Sequence, residues 1–269
     1  MPELPEVETI VRGLQKQIVG KKIVGVKVIL PKIVRGDAGD FITFVSGATI
    51  QKVWRRGKMI VINLSKGRSL LIHLKLTGQL LYISKDAPVT KHTHLVFKLS
   101  TGQQLHYLDV RQFGYFCLAD TSLVEGLTPA GLEPLKISLN KFKKIIQSKK
   151  ARMKSLLLNQ SFLAGIGNIY ADEILHKAHI HPLQHAHTLS QIQITRLYRN
   201  IKEVLKKAIK YRGSSVSDYV DSGGQKGNYQ RYHRVYRRAG KPCFTCQKKI
   251  VRIKIGGRSS YFCPNCQLY

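Results

Sequence analysis

The chain opens on an amphipathic segment. Its apolar residues recur at intervals of three and four positions, at Val7, Ile10, Val11, Leu14 and Ile18. This spacing places them on one face of a helix. Pro5 suits the first turn, where the N–H that proline lacks would have no helical partner in any case. The pattern predicts a helix over residues 5–19, with Pro2 and Glu3 just before it.

The pattern changes to short, β-type segments over residues 22–120. Apolar runs separated by polar or glycine-containing turns occupy residues 59–64, 69–74, 79–83, 93–99 and 104–108. The last two runs flank Ser100-Thr101-Gly102, which indicates a hairpin turn. Many short strands joined by glycine turns predict a sandwich or a barrel.

A second change falls at Leu127–Pro134, where proline and glycine predict a domain linker. Helical periodicity follows the linker, in residues 139–148, 153–159, 169–177 and 189–211. Residues 213–227 are rich in glycine and serine, so we expect a mobile loop there.

The charge of the chain indicates what kind of partner it binds. The chain has 45 Lys and Arg against 15 Asp and Glu, a net charge of +30, of which residues 135–269 carry +22. A field this positive attracts polyphosphate and releases its counterions, which favours a nucleic-acid partner. Charge alone leaves two alternatives open: a ribosome-associated protein, or a protein from an organism whose proteins are basic in general.

The chain holds no apolar run long enough to span a membrane. The opening MPELPEVETI also lacks the basic start and apolar stretch of a secretory signal. We therefore expect a cytoplasmic protein without membrane contact.

The cysteines predict a metal site near the end of the chain. Four of the five form two C-x-x-C pairs, at Cys243, Cys246, Cys263 and Cys266. In a cytoplasmic protein this spacing indicates one zinc ion. Two disulfides are the alternative, but nothing else indicates an oxidising compartment.

The second and third residues are candidates for covalent chemistry. Removal of Met1 would turn Pro2 into a secondary amine, and an α-amino group titrates near pH ~7.7–8.0, so part of it is nucleophilic at neutral pH. Attack on a sugar C1′ would expel a base and leave an imine, with Glu3 beside it to transfer a proton. Taken alone, a Pro-Glu start is more often a helix leader.

Six motifs along the whole chain carry a resemblance. They are MPELPEVET (residues 1–9), RGK (56–58), KHTH (91–94), DVRQFG (109–114), GIGNIYADE (165–173), and GR (257–258) ahead of CPNC (263–266). In this order they resemble the formamidopyrimidine-DNA glycosylase family, also called 8-oxoguanine DNA glycosylase/AP lyase.

The resemblance implies an α+β protein with three parts. An N-terminal β-sandwich domain with a leading helix would cover residues 1–134, a helix-two-turn-helix DNA-binding domain 135–237, and a β-hairpin zinc finger 238–269. It also implies a monomeric bacterial enzyme of the nucleoid. This enzyme would excise 8-oxoguanine and formamidopyrimidines from double-stranded DNA, nick the strand by β,δ-elimination, and hold one structural Zn²⁺.

Catalytic roles carry over to four residues. Pro2 would form the Schiff base, and Glu3 would protonate the sugar ring oxygen or the leaving base. Lys58 would hold a phosphate and assist β-elimination. Arg258, on the zinc hairpin, would hold a phosphate and assist δ-elimination.

The resemblance also implies DNA contacts. A wedge would fill the space left by the extruded nucleotide, from Leu76 (where the family usually has methionine), Arg111 and Phe113. Phosphate or lesion contacts would come from His73, His92, Lys149, Lys150, Lys154 and Asn168. Asn168 follows Gly-Ile-Gly at a predicted helix start, which favours an anion; a plain N-cap is the alternative. Gln112 and Arg237 depart from the family's usual basic residue and glycine.

Two other functions are weighed against this one. Endonuclease VIII-like enzymes, which remove oxidised pyrimidines, usually open Pro-Glu-Gly-Pro-Glu, whereas this chain has Leu4 in the third place of that pattern. A non-catalytic zinc protein that binds DNA through charge would explain the charge and the cysteines. It would not explain why Pro2, Glu3, Lys58 and Arg258 occur together.

Overall fold

The structure, a computed structural model, describes residues 1–128 and 131–269. Pro129 and Ala130, in the middle of the predicted linker, lie outside the described residues. Contacts divide the chain into two compact units, Met1–Thr128 with Tyr211–Gln230, and Pro129–Lys210 with Arg231–Tyr269. This is a division by contacts rather than by chain order, so the three predicted domain ranges stay predictions.

The first unit is mainly β-structure with a leading helix. In chain order its elements are α1 (Leu4–Ile18), β1 (Ile23–Val28), β2 (Val34–Arg35), α2 (Ala38–Val45), β3 (Ile50–Arg56), β4 (Met59–Leu64), β5 (Arg68–His73), β6 (Gln79–Ile83), β7 (Thr93–Leu99), β8 (Gln104–Leu108), β9 (Tyr115–Asp120) and α3 (Val124–Leu127). The bounds of β4, β6, β7 and β8 coincide with the predicted apolar runs.

Two sheets form the layers of this unit. Within the described residues, one sheet has the order β1-β7-β8-β6 and is antiparallel throughout. The other has the order β2-β9-β5-β4-β3, with β2 parallel to β9 and the remaining pairs antiparallel. Buried residues of both sheets belong to one apolar core. The predicted sandwich is confirmed, and the barrel alternative is set aside.

An aromatic cluster ties the layers together. Phe116 on β9 is fully buried, and its ring centroid lies 4.9 Å from that of Tyr107 on β8. The rings of Phe97 on β7 and Phe41 on α2 lie 6.0 and 6.4 Å from it. Aromatic pairs at these separations add to the stabilisation from area burial.

Helix α1 begins one residue earlier than predicted because its start is capped. The side chain of Glu3 accepts the backbone N–H of Glu6, and Glu6 Oε2 accepts the N–H of Glu3 at 2.8 Å. Such a capping box satisfies two N–H groups that a helix start otherwise leaves without helical partners. The first residues of the chain are thereby held on the helix.

The β-rich pattern does not predict α2. Asp37 caps this helix by accepting the N–H of Asp40 at 2.8 Å, and Phe41 and Val45 pack into the sandwich core. A capping aspartate inside a β-rich stretch is the signal that indicates such a helix.

Residues 211–230 return to the first unit and pack there as a loop. Tyr219 is buried in the core, and its hydroxyl donates to the carbonyl of Glu6. The carbonyl of Ser222 accepts the N–H of Tyr82 at 2.8 Å, at the edge of β6. The stretch predicted as a mobile loop therefore makes specific contacts on the sandwich.

The second unit is helical and ends in a hairpin. Its elements are α4 (Leu139–Gln147), α5 (Met153–Leu158), α6 (Asn168–Lys177), α7 (Gln191–Lys210), β10 (Val251–Ile255) and β11 (Arg258–Phe262). Every residue from Ile169 to His176 is buried, so α6 is an internal helix with polar groups that need partners. The helices agree with the predicted periodic segments.

The hairpin turns over two glycines. Ile255 pairs with Arg258, and Gly256 and Gly257 between them both adopt positive φ, at 51° and 76°. Two successive positive φ angles are what a two-residue turn of this kind requires, and glycine adopts them without strain. Across the described residues, none of the helices combines the length and apolar character needed to cross a membrane.

The sandwich should depend on Phe116. Replacing it by alanine should lower the free energy of unfolding by about 3–5 kcal/mol, because the cavity is enclosed by rings from three elements. Urea unfolding followed by the fluorescence of Trp54, the single tryptophan, which lies on β3, reports the first unit. Val24→Ala, which truncates an exposed side chain on β1, is the matched control and should cost less than about 0.5 kcal/mol. Equal losses in both variants would contradict the assigned core.

Candidate active site and zinc centre

The chain terminus lies in a charged, largely buried setting. Pro2 and Glu3 are buried, and Lys58, in the turn between β3 and β4, is only 8% exposed. Burial lowers the pKa of the α-amino group of Met1, while the charges of Glu3, Glu6 and Asp218 oppose that shift and Lys58 reinforces it. The structure therefore brings three of the four predicted catalytic residues, Pro2, Glu3 and Lys58, together at the terminus.

The turn that carries Lys58 is fastened to α1. Gly57 adopts a φ of 57°, and its carbonyl accepts Arg55 Nη1 at 2.8 Å. Arg55 Nε also donates to Glu8 Oε2 at 3.0 Å. Because Glu8 lies on the helix that starts at the terminus, this chain of contacts fixes Lys58 relative to the first residues.

His73 has a defined protonation state. Its Nδ1 accepts the N–H of Lys75 at 3.0 Å, and burial, helped by Lys75, Lys58 and Arg35, lowers its pKa to about 4. The ring is therefore neutral at pH 7, with its proton on Nε2. A neutral ring of this tautomer can donate one hydrogen bond to a phosphate oxygen but brings no charge.

The predicted wedge residues lie on two loops. Leu76, in the turn between β5 and β6, is half-buried, whereas Arg111 and Phe113, between β8 and β9, are exposed. The guanidinium of Arg111 lies 4.9 Å from the centroid of Phe113. Phe113 is 53% exposed, which is unusual for an aromatic side chain in a sandwich and argues against a core role.

His92 and Asp109 lie at the base of these loops. His92 is half-buried, and its carbonyl accepts the N–H of Asp109 at 3.0 Å. Burial alone would raise the pKa of Asp109, but hydrogen bonds from Thr77, Gly114, Tyr107 and Arg111 outweigh it and lower the pKa. Asp109 is thus an ionised carboxylate inside the first unit.

In the second unit, Asn168 and Lys154 meet at the start of α6. Gly167 takes the N-cap position and Asn168 is the first helical residue, with its Nδ2 donating to the carbonyl of Ser259 at 3.0 Å. Lys154 is wholly buried and donates to Asp172 Oδ1 at 2.6 Å and to the carbonyl of Asn168 at 3.0 Å. Its ammonium does not reach the surface, so any effect of Lys154 on DNA runs through α6.

The remaining predicted cations are open to solvent. Lys149 and Lys150 follow the end of α4, and Arg258 begins β11 just after the glycine turn; all three are exposed. Exposed cations can meet a phosphate without paying for desolvation of a buried charge.

The four cysteines of the second unit form a site for one zinc ion. Their Sγ atoms all lie within 4.8 Å of one another, with 3.9 Å between Cys243 and Cys266 and 3.4 Å between Cys246 and Cys263. A tetrahedral ion with Zn–S bonds near 2.3 Å needs sulfur separations of about 3.8 Å. Both distances are far longer than the ~2.05 Å of a disulfide, and all four cysteines are free thiols, which excludes the paired alternative.

Buried acids on α6 attach the zinc finger to the helices. Glu173 accepts the N–H groups of Arg234, Val235 and Tyr236 at 2.8–3.0 Å, just ahead of the finger. Burial raises the pKa of Glu173, and these three N–H groups oppose the shift. Asp172 Oδ2 accepts the N–H of Tyr261 on β11 at 3.1 Å.

Sequence reasoning assigns no role to Glu6, Asp109, Asp172 or Glu173. The available signal is an acidic residue within a buried stretch of a chain that has only 15 acids. A buried carboxylate needs hydrogen-bond donors, so such a residue marks a place where two segments meet.

A β-sandwich with a structured terminus, a helical unit and a four-cysteine hairpin together define a zinc-finger protein of the helix-two-turn-helix class. Family models agree along the chain. Residues 1–116 match the formamidopyrimidine-DNA glycosylase N-terminal domain, residues 130–220 its H2TH domain, and residues 240–268 the zinc finger found in FPG and IleRS.

Relatives and solved structures cover the chain from end to end. Formamidopyrimidine-DNA glycosylase of Pelotomaculum thermopropionicum is 49% identical over 99% of both chains, and that of Streptococcus mutans is 40% identical over 99% of both. A Lactococcus lactis FPG mutant in complex with Fapy-dG-containing DNA matches with a TM-score of 0.93 and 38% identity over 100% of both chains. The L. lactis Fpg complex with abasic-site DNA matches equally well, over 99% of this chain and 100% of that one. The chain belongs to the formamidopyrimidine-DNA glycosylase family.

Zinc removal should unfold the hairpin and leave the sandwich intact, because a unit this small does not fold without its metal. Hydrogen exchange of the purified protein after chelation should accelerate in β10 and β11, with unchanged protection in β8. Cys243→Ser, which removes one thiolate, should give the same pattern at lower chelator concentration. Full protection of β10 and β11 in metal-free protein would contradict a structural zinc.

Proposed function

We propose that this chain excises oxidised purines from double-stranded DNA and then cleaves the strand, using Pro2 as the nucleophile. Glycosylase activity of this class follows from membership of the family. The assignment to individual residues rests on the charged setting of the terminus, where Glu3 and Lys58 flank the amine. Relatives found with Fapy-dG and abasic-site DNA support the same substrate class.

The terminal setting favours a neutral amine. Burial lowers the pKa of the α-amino group of Met1, which occupies this place before processing, and Lys58 adds to the shift. An uncharged secondary amine on Pro2, exposed by loss of Met1, has the lone pair that attack on C1′ requires. The carboxylates of Glu3 and Glu6 nearby limit the shift and can accept or return protons.

The chemistry divides among four residues. The Pro2 nitrogen forms a bond to C1′ and gives up its proton, the C1′–N bond to the base breaks, and the base leaves with that proton. Glu3 supplies the proton that opens the sugar at its ring oxygen, which leaves an iminium. Loss of a C2′ proton then expels the 3′ phosphate, a step that the cation of Lys58 stabilises. Arg258 assists the second elimination, which expels the 5′ phosphate.

Base extrusion needs a wedge and phosphate contacts. Phe113, Arg111 and Leu76 would fill the gap in the stack, since extrusion costs a few kcal/mol of stacking and pairing. Neutral His73 would donate Nε2–H to a phosphate, and further contacts would come from His92, Lys149, Lys150 and Asn168. Lys154 would act by holding α6. We place the enzyme at the bacterial nucleoid, where its substrate lies, acting as a monomer.

Retention of Met1 should abolish the activity. A variant that keeps an N-terminal extension, incubated with 8-oxoguanine duplex and borohydride, should give no covalent adduct, whereas the processed chain should give one. A C-terminal tag of equal length is the matched control. A full yield of adduct from the blocked chain would remove Pro2 as nucleophile. A panel of oxidised pyrimidines in the same assay tests the endonuclease VIII-like alternative.

Glu3→Gln should separate binding from chemistry. The amide keeps the size of the side chain but cannot transfer the proton, so base release should fall by about 10²–10⁴-fold. Binding to abasic-site duplex, measured by fluorescence anisotropy, should stay within about twofold of the wild type. Asp37→Asn, which alters an N-cap of similar geometry on α2, is the control for helix fraying. Unchanged turnover in Glu3→Gln would exclude Glu3 from the mechanism.

A further inference from the structure

The two wedge loops share one buried anchor. The first loop, residues 74–78, carries Leu76, and the second, residues 109–114, carries Arg111 and Phe113. Between them lies the carboxylate of Asp109, which is 1% exposed. Because its side chain is buried, Asp109 cannot contact DNA directly, and its charge alone indicates no role.

Each oxygen of Asp109 accepts two donors. Oδ1 accepts the hydroxyl of Thr77 at 2.5 Å, next to Leu76, and the N–H of Arg111 at 3.2 Å. Oδ2 accepts the hydroxyl of Tyr107 at 2.9 Å and the N–H of Gly114 at 2.8 Å. The carboxylate therefore joins the first loop, both ends of the second, and the core.

The space around this anchor is closed. A Cβ on Gly114 would lie 1.8 Å from the Tyr107 hydroxyl, and a Cβ on Gly78 would lie 2.9 Å from the same hydroxyl. Both loops therefore press directly against the Tyr107–Asp109 pair.

The second loop also holds an unfavourable backbone conformation. Gln112, between Arg111 and Phe113, adopts a φ of 57°, which costs energy for a residue with a Cβ. The hydrogen bonds from Arg111 and Gly114 to Asp109 enclose this residue on both sides. They hold the conformation that presents Phe113 to solvent.

We propose that Asp109 is a positioning residue that holds Leu76, Arg111 and Phe113 as one preformed wedge. The inference rests on the proposed function, in which these three side chains fill the gap left by an extruded nucleotide. When the wedge is already formed, the entropy cost of ordering two loops does not arise during extrusion of the nucleotide. Asp109 matters for a substrate that must be unstacked and not for one that is already single-stranded.

The test compares two substrates in single-turnover assays. One is a duplex with 8-oxoguanine, which requires extrusion; the other is a single-stranded oligonucleotide with a preformed abasic site. Asp109→Asn keeps the shape but replaces one acceptor oxygen by a donor, so two of the four donors lose their acceptor. Excision from duplex should fall on the order of 30- to 100-fold, as expected for hydrogen bonds lost to an ionised group. Cleavage of the single strand should stay within about threefold, as expected when the chemical groups are untouched.

Graded and control variants keep the inference testable. Thr77→Val and Tyr107→Phe each remove one donor and should give smaller losses of excision that are specific to duplex. These two variants keep the test available if Asp109→Asn fails to fold. Asp120→Asn, an exposed carboxylate on β9 paired with Arg68, should leave both substrates unaffected. Fluorescence of 2-aminopurine beside the lesion should rise more slowly in Asp109→Asn, because this readout follows unstacking.

The outcomes separate the inference from the function on which it rests. Wild-type excision from duplex by a folded Asp109→Asn variant would overturn the positioning role alone. Equal losses on both substrates would also overturn it, since they would indicate a general effect on folding or chemistry. A wild-type chain that forms no adduct with either substrate would instead overturn the proposed function, and the positioning role with it.

Discussion

Buried carboxylates that accept backbone N–H groups hold the segments on which the candidate chemistry depends. Glu6 accepts the N–H groups of Glu3 and Ser214 and so fixes the start of the chain. Asp109 does the same for the loop between β8 and β9. Asp172 and Glu173 fix β11 and the chain ahead of the zinc finger. In a protein of net charge +30, these four acidic side chains lie inside the protein rather than on its surface.

This use of acids follows from the physics of a phosphate-binding protein. A carboxylate beside a bound phosphate would weaken the attraction for DNA, whereas the charge of these buried carboxylates is offset by the donors that bond to them. Cations are distributed the opposite way, with Arg258, Lys149 and Lys150 exposed. Lys58 and Lys154 are buried instead, and the ammonium of Lys154 is paired with Asp172 at 2.6 Å. The resemblance to the family alone gives no warning of that burial.

Local pattern predicts local structure well in this chain. The stripe in α1, the apolar runs of β6–β8 and the cysteine spacing each involve residues close in sequence, and the structure has them nearly as predicted. Helix α2 is not predicted because its eight residues lie within a β-rich stretch of the chain. The roles of Glu6 and Glu173 are not predicted for a different reason: each accepts an N–H group from at least 61 residues away, up to 208 for Glu6, and no spacing rule reaches that far. The N–H donors to Asp109 are only two and five residues away, but its donor on the other loop, Thr77, is 32 residues away.

The return of residues 211–230 to the sandwich has a consequence for how the protein can be divided. A gene truncated after the first 128 codons would encode a sandwich that lacks Tyr219, so its core would be open to water beside α1. Neither unit is a continuous stretch of the chain, and no single cut releases either of them whole. An exchange of either unit between relatives would therefore have to replace two separate stretches of the chain at once.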